Sequence, residues 1–419
     1  MAFARTDLDT GITVVTEPFE GVRSIALGMF FVVGSRDETD ADAGMAHFLE
    51  HMMFKGTPTR DACQLAEAFD RLGARQNAFT SKEMTCYYAD FLDESLDGVF
   101  ELIADMVTNA SLDNEAVALE REVVIEEIAR AEDDPESVAH ELFTSLAWPH
   151  NPLGRPIAGS KQTVEAFGRA TSMAFRAAHY HAGNCVVAAA GNVDHEAVVA
   201  LTKRSLGELA AGKPRSLRRA PGPSEKALQF KFKETEQTHL FTGQHTISAR
   251  DDRRFALQLA HTILGGSMSS RLFQEVREKL GLVYSIYSYP QLYRDGGLFS
   301  VYAGTRPENA RQVHEVIGRE LERFGSSDIT AEELARAKAS VKGALALALE
   351  STSRRMTRIG EATINDIEVL TFDEQLARYD EITLDEVRTM AHELVGDGPT
   401  TAIVGPYMGQ DFDEYKKES

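Results

Sequence analysis

At 419 residues the chain is long enough for more than one buried core, and ordinary domain sizes set the expectation at ~2 or 3 domains. Its 44 Lys and Arg stand against 65 Asp and Glu, a formal charge of −21 that repels nucleic acid and favours basic or unfolded peptide partners. A hydrophobic fraction of 43% excludes long disorder. Asp7 and Asp9 fall where a signal peptide would need its apolar stretch, and no apolar run could span a bilayer, so the reading is a cytoplasmic chain without membrane or nucleic-acid partners. Cys63, Cys86 and Cys185 lack C-x-x-C spacing and read as reduced, buried structural thiols.

The chain opens with an alternating strand pattern, "GITVVTE", and a strongly apolar one, "RSIALGMFFVVGS". A helix carrying "HFLEH" at 47–51 follows, with Asp40 or Asp42 expected as its N-terminal cap and Lys55, Gly56 and Pro58 marking its end. Next come a helix, "RDACQLAEAFDRLG", a strand pair, "RQNAFTSKEMTCYYADFL", a helix, "LDGVFELIADMV", and a long acidic helix, "DNEAVALEREVVIEEIARAEDD", stopped by Pro135. A helix ending near "FRAAHYHAG", a buried-strand run, "NCVVAAAGNV", and a helix, "HEAVVALTKRSLGEL", close this half. Residues 210–225, rich in Pro, Gly and basic residues, read as a surface linker.

Beyond the linker the order recurs: strand "THLFTGQHTI", helices "RRFALQLAHTILGG" and "SSRLFQEVREKLG", strands "VYSIYSYPQLY" and "GGLFSVYAGT", helix "ENARQVHEVIGREL". The closing "AHYHAGNCVVAAAGNV" of the first half has its counterpart in "AHELVGDGPTTAIVGPY". The expected fold class is α+β, two duplicated domains each with a largely antiparallel sheet covered by helices. Their expected bounds are 1–215 and 226–419, joined by a linker at 216–225.

On a helix, positions i, i+3 and i+4 share a face, so His47, Glu50 and His51 converge. Two neutral imidazoles at that spacing suit one zinc ion, and a nearby carboxylate suits a general base acting on the attacking water. A catalytic zinc needs a third protein ligand from another element. On the acidic helix, steps of ~100° group Val117, Val124 and Ile128 on one stripe, with Glu120 and Glu127 along its edge and Glu122 and Glu126 on the far side. Glu120 and Glu127 are therefore the candidates to be drawn inward, and helical spacing alone does not choose between them.

The segments "HFLEHMMFKGT", "NAFTSKEMTCYYADF", "EREVVIEEI" and "GGSMSSRLFQEVREKLGLVYSIYS" together resemble the pitrilysin, insulin-degrading enzyme and mitochondrial processing peptidase family of inverted-motif zinc metallopeptidases. The resemblance covers nearly the whole chain, and in length it is similar to the short bacterial members. It implies that His47, His51 and Glu127 hold one zinc ion per chain, that Glu50 is the general base and that Glu120 is a supporting carboxylate. No metal or base position departs from the family pattern. By the same resemblance Asn77 and Ala78 contact the backbone of an extended substrate, and Arg277 and Tyr284 donate hydrogen bonds near the scissile carbonyl. Each chain would form half of a clamshell, its site completed by Arg277 and Tyr284 of a partner in a homodimer or a heterodimer with a paralogue.

The expected activity is that of a zinc metalloendopeptidase acting on unfolded peptides or presequences in a closed chamber. A non-catalytic scaffold subunit is a second class of reading, and a metal-binding module a third. A scaffold has no physical need for all of His47, Glu50, His51 and Glu127. The general base and the Arg277 and Tyr284 pair argue against metal binding alone.

Overall fold

The computed structural model describes residues 3–212, 222, 226–326, 328–396 and 398–407. The chain forms two compact units, one of Met1–Ala129, Arg155–Leu217 and Leu347–Thr371, the other of Arg130–Gly154, Arg218–Ala346 and Phe372–Ser419. Contiguous domains at 1–215 and 226–419 are thus not what folds together, because 130–154 and 347–371 each join the unit built mainly from the opposite half. The expected linker at 216–225 lies outside the described residues except for Gly222.

The first unit is built on a six-stranded sheet in the order Ala4–Asp7, Thr13–Pro18, Cys185–Gly191, Ser24–Phe31, Thr85–Leu92, Arg75–Thr80. All pairings are antiparallel except that of Thr13–Pro18 with Cys185–Gly191. Period-two alternation explains why the central strands read as uniformly apolar. Ile25, Leu27, Met29 and Phe31 enter a large core beneath the helices, whereas Ala26 and Phe30 enter a smaller one on the other face. That second face is covered by helix Thr352–Ile364, which contributes Met356, Ile359 and Ile364. The approach is close enough that a Cβ at Gly28 would lie 2.6 Å from Met356 Sδ, and one at Gly360 2.6 Å from the Phe30 ring.

The second unit repeats the plan. Its sheet runs Val283–Tyr293, Gly296–Thr305, Thr238–Thr246, Thr400–Gly405, Leu228–Phe232, with one parallel pairing, between the last two. Strand for strand this is the first sheet without Ala4–Asp7, so the duplication extends to topology. Helix Pro135–Ala147, begun by Asp134 accepting from the Ser137 amide at 3.0 Å, covers one face through Val138, Ala139 and Phe143 packed on Phe241, Leu298 and Tyr302. Among the described residues no helix is long and apolar enough to cross a membrane. Cys86 and Cys185 are buried as expected, but Cys63 is exposed on the outer side of helix Ala62–Arg71.

Candidate active site

Helix Met45–Met52 buries Met45, Ala46, Phe48, Leu49 and Met52, which leaves His47, Glu50 and His51 on its half-buried side. Its N-terminal residue is Gly44, with φ 97°, and no Asp caps it. Asp40 and Asp42 instead lie in a separate 3₁₀ turn, Asp40 bonded to Arg155 at 2.6 Å and Asp42 to Thr39 at 2.7 Å. The free amides of Gly44 and Ala46 donate to the buried Glu38 carboxylate at 2.9 and 2.8 Å. The correction has a steric reason: a Cβ at Gly44 would lie 2.4 Å from the Ala158 carbonyl oxygen, so no capping side chain fits at the helix start.

The acidic helix spans Asn114–Asp133 and buries Val117, Glu120, Val124 and Ile128. Its two candidate carboxylates behave differently: the Glu120 side chain is 5% exposed and that of Glu127 is 46% exposed. Glu127 Oε2 nevertheless faces the histidine pair, 3.8 Å from His47 Nε2 and 3.5 Å from His51 Nε2. Glu120 lies behind, 2.8 Å from His51 Nδ1 and 2.5 Å from Lys55 Nζ. Glu122 and Glu126 are exposed, as the helical spacing predicts.

The electrostatics separate these groups. Burial pulls His47 down to about 4, with the nearby His51 adding to the effect. Burial also works on His51, but the Glu120 hydrogen bond and the Glu127, Glu120 and Glu50 charges outweigh it and raise it above the usual imidazole value. Burial opposes ionisation of Glu120, yet bonds from His51 and Lys55 leave it lowered and therefore anionic. Burial raises Glu50, against the pull of Thr80 and His51 and with help from Glu127.

Glu50 Oε2 accepts from the Thr80 hydroxyl at 2.5 Å. Thr80 ends strand Arg75–Thr80, which lies at the edge of its sheet and carries Asn77 and Ala78; the Ala78 amide donates to Asn77 Oδ1 at 2.8 Å. Arg277 and Tyr284 belong to the second unit, where a turn of π-helix, Phe273–Lys279, precedes strand Val283–Tyr293. The Arg277 guanidinium sits 4.6 Å from the Phe273 ring centroid and 5.9 Å from that of Tyr284, whose side chain is 75% exposed. Sequence reasoning did not single out Thr80 or Glu38, and it took Lys55 only as a marker of the helix end. Thr80 and Lys55 stand inside motifs already quoted, but their partners lie on other elements.

Zinc fits the donor set. His47, His51 and Glu127 form the one group of three or more such side chains among the described residues whose ligand atoms converge, all within 4.8 Å of one another. Donors ~2.0–2.2 Å from a tetrahedral ion stand about 3.3–3.6 Å apart, close to the 3.8 and 3.5 Å between Glu127 Oε2 and the two imidazole Nε2 atoms. His51 has its Nδ1 proton engaged by a carboxylate, which leaves Nε2 as the ligating atom. In the second unit the helix at the equivalent place, Arg254–Leu264, offers only His261, bonded to Ser288 Oγ at 2.9 Å and pulled down to about 4 by burial.

The sequence matches the family model described as Insulinase (Peptidase family M16) over residues 13–161, and that described as Peptidase M16 inactive domain over 167–341. The chain belongs to peptidase family M16. The first M16 match contains all three converging candidate ligands, and among the described residues of the second no such group lies. A protein from Streptomyces coelicolor named as a zinc protease is 41% identical over 410 residues, 96% of this chain and 89% of that protein. YmxG of Bacillus subtilis, also named as a zinc protease, is 37% identical over 402 residues, 96% of this chain and 98% of that protein. Family and relatives together identify this M16 chain as a zinc metalloprotease. Its fold is similar to that of a protease from Helicobacter pylori, with TM-score 0.91 and 23% identity over 97% of this chain and 99% of that one. A peptidase M16 inactive domain from Pseudomonas fluorescens gives TM-score 0.92 at 21% identity, with 97% and 99% covered.

Proposed function

We propose that this M16 protease is an endopeptidase for extended, unfolded and preferentially basic peptides, using one zinc ion per chain held by His47, His51 and Glu127. The observation that carries the reading is the convergence of those three ligand atoms with a carboxylate, Glu50, on the same helix. Zinc, when bound, supplies Lewis acidity that lowers the pKa of the attacking water towards ~7. Glu50 accepts the proton of that water and later hands it to the leaving amine. Glu120 orients His51 and keeps its Nδ1 protonated. The free edge of strand Arg75–Thr80 supports pairing with a substrate backbone near Asn77 and Ala78.

The half-buried Arg277 and the exposed Tyr284 have donors suited to a developing oxyanion, and in this reading a partner chain supplies them, whether a second copy or a paralogue. The charge of −21 favours basic substrates by raising their local concentration. The decisive experiment is hydrolysis of a quenched fluorescent basic peptide of ~20 residues by wild type, chelated wild type and Glu50→Gln at matched zinc occupancy. Loss of cleavage in both treated samples supports the proposal. Undiminished cleavage by Glu50→Gln would remove Glu50 as the base, and equal rates on folded proteins would remove the preference for unfolded chains.

A further inference from the structure

We infer that Thr80 is a positioning residue for the reaction: its hydroxyl holds Glu50 in one rotamer, commits Oε2 as a hydrogen-bond acceptor, and leaves Oε1 to receive the proton of the attacking water. The inference rests on the reading of Glu50 as the general base. Its starting point is the 2.5 Å contact from Thr80 Oγ1 to Glu50 Oε2. A hydroxyl carries one proton, so the question is where that proton goes. Among the described residues the other hydroxyl within range is Thr85 Oγ1, at 3.5 Å, and Thr85 spends its own proton on the Val33 carbonyl at 3.0 Å. A carboxylate at 2.5 Å is the far better acceptor, so Thr80 donates to Glu50.

A positioning group must itself be fixed, and Thr80 is. It pairs with Thr85 as the last rung of the edge-strand hairpin. The turn beyond it closes through Ser81 N to the Met84 carbonyl at 2.8 Å. That turn is clamped onto 34–37: Ser35 and Arg36 amides donate to the Ser81 and Lys82 carbonyls at 3.2 and 2.8 Å, and Arg36 pairs with Glu83 at 2.7 Å with both side chains buried. Gly34 allows the approach, since a Cβ there would lie 2.3 Å from the Ser81 carbonyl oxygen. Lys82 Nζ also donates to the Arg155 carbonyl.

Glu50, by contrast, is one side chain on a helix surface with three rotatable bonds, and burial alone would let it turn. Thr80 ties it to the end of the edge strand. The same strand that would register a substrate backbone then also registers the base, so the scissile bond and the proton acceptor are positioned from one rigid piece.

The test uses full-length zinc-loaded protein and compares wild type, Thr80→Val, Thr80→Ser and Glu50→Gln on the fluorescent peptide. Valine keeps shape and removes the donor; serine keeps the donor. The expected result is a fall in kcat of about tenfold to a hundredfold in Thr80→Val, the usual cost of losing such a partner, with KM, zinc content and melting temperature close to wild type. Thr80→Ser should restore most of kcat. Thr80→Val with wild-type kcat, or a loss that Thr80→Ser fails to restore, would overturn the inference while an inactive Glu50→Gln leaves the base assignment standing. An active Glu50→Gln would instead bring down the reading on which the inference rests.

Discussion

With zinc on the proposed ligands, His51 and Glu120 set how the centre takes up metal. The Glu120 carboxylate raises His51 above the usual imidazole range, so the free protein carries a proton on His51 Nε2 at mildly acidic pH that zinc must displace. His47, held at about 4, has none to lose there. Zinc affinity should therefore rise with pH by about one log unit per pH unit between roughly pH 5 and 6.5 and level off above the His51 value, with the slope steepening only as pH falls towards 4. Chelator competition across that range measures it; a slope near two at pH 6 would show that both imidazoles start protonated. Glu120→Gln removes the anion that favours the charged ring, so the levelling-off should move to lower pH. The plateau affinity should at the same time fall about tenfold to a hundredfold, because the ring loses its orienting acceptor. The three candidate ligands that the structure brings together were legible in the sequence, because helical spacing places His47 and His51 one turn apart and the motif resemblance separates Glu127 from Glu120. Thr80 and Lys55 were not, since a threonine at a strand end and a lysine after a helix acquire meaning only from partners 30 and 65 positions away.

At the scale of elements, the eight-residue helix Met45–Met52 is too short to hold itself together and depends on what it is fastened to. Glu38 satisfies its first free amides from outside the helix. Glu38→Ala should lower stability by about 1–2 kcal/mol, and zinc affinity with it, as judged by thermal melting with and without metal. Glu38→Gln, which keeps an acceptor oxygen, should recover part of both. Helix Thr352–Ile364 is anchored differently: Arg355 and Arg358 close on the buried Glu17 at 2.5 and 2.6 Å. Removing the one carboxylate strands two largely buried guanidinium groups, so Glu17→Ala should cost about 3–5 kcal/mol in denaturant unfolding. A change below 1 kcal/mol would mean that water already solvates the arginines. Helix Thr352–Ile364 formed no part of the sequence reading, whereas sequence pattern located helix Met45–Met52 well, since period and breakers are local signals. It misassigned the cap because Asp40 and Asp42 are good capping residues in the right place, and nothing local reveals that Ala158 crowds the position a cap would need.

For the whole molecule, the repeated order of strands and helices made the duplication legible, and the matching strand order of the two sheets follows from it. What could not be read was which segment covers which sheet, because an amphipathic helix declares that it has an apolar face without naming its partner. Each sheet is apolar on both faces, and each half's own helices cover one. The remaining face is closed by 347–371 in the first unit and by 130–154 in the second. A fragment of residues 1–217 would therefore expose Val15, Ala26, Phe30, Cys86, Val186 and Ala188, all less than 9% exposed in the intact chain. It would also strip Glu17, on the same face as Val15, of both arginines. Exposed apolar surface of that kind drives association, so the bare fragment should be poorly soluble and bind a hydrophobic dye. Appending 347–371 through a flexible linker returns Met356, Ile359 and Ile364 to the open face and both arginines to Glu17. With 130–154, which belongs to the second unit, also replaced by a linker, the extended fragment should be soluble, melt cooperatively and gain melting temperature on zinc addition, since the candidate metal ligands all lie within 1–129. If the bare fragment melted at the same temperature as the extended one, helix Thr352–Ile364 would be an accessory to the first sheet and not part of its core.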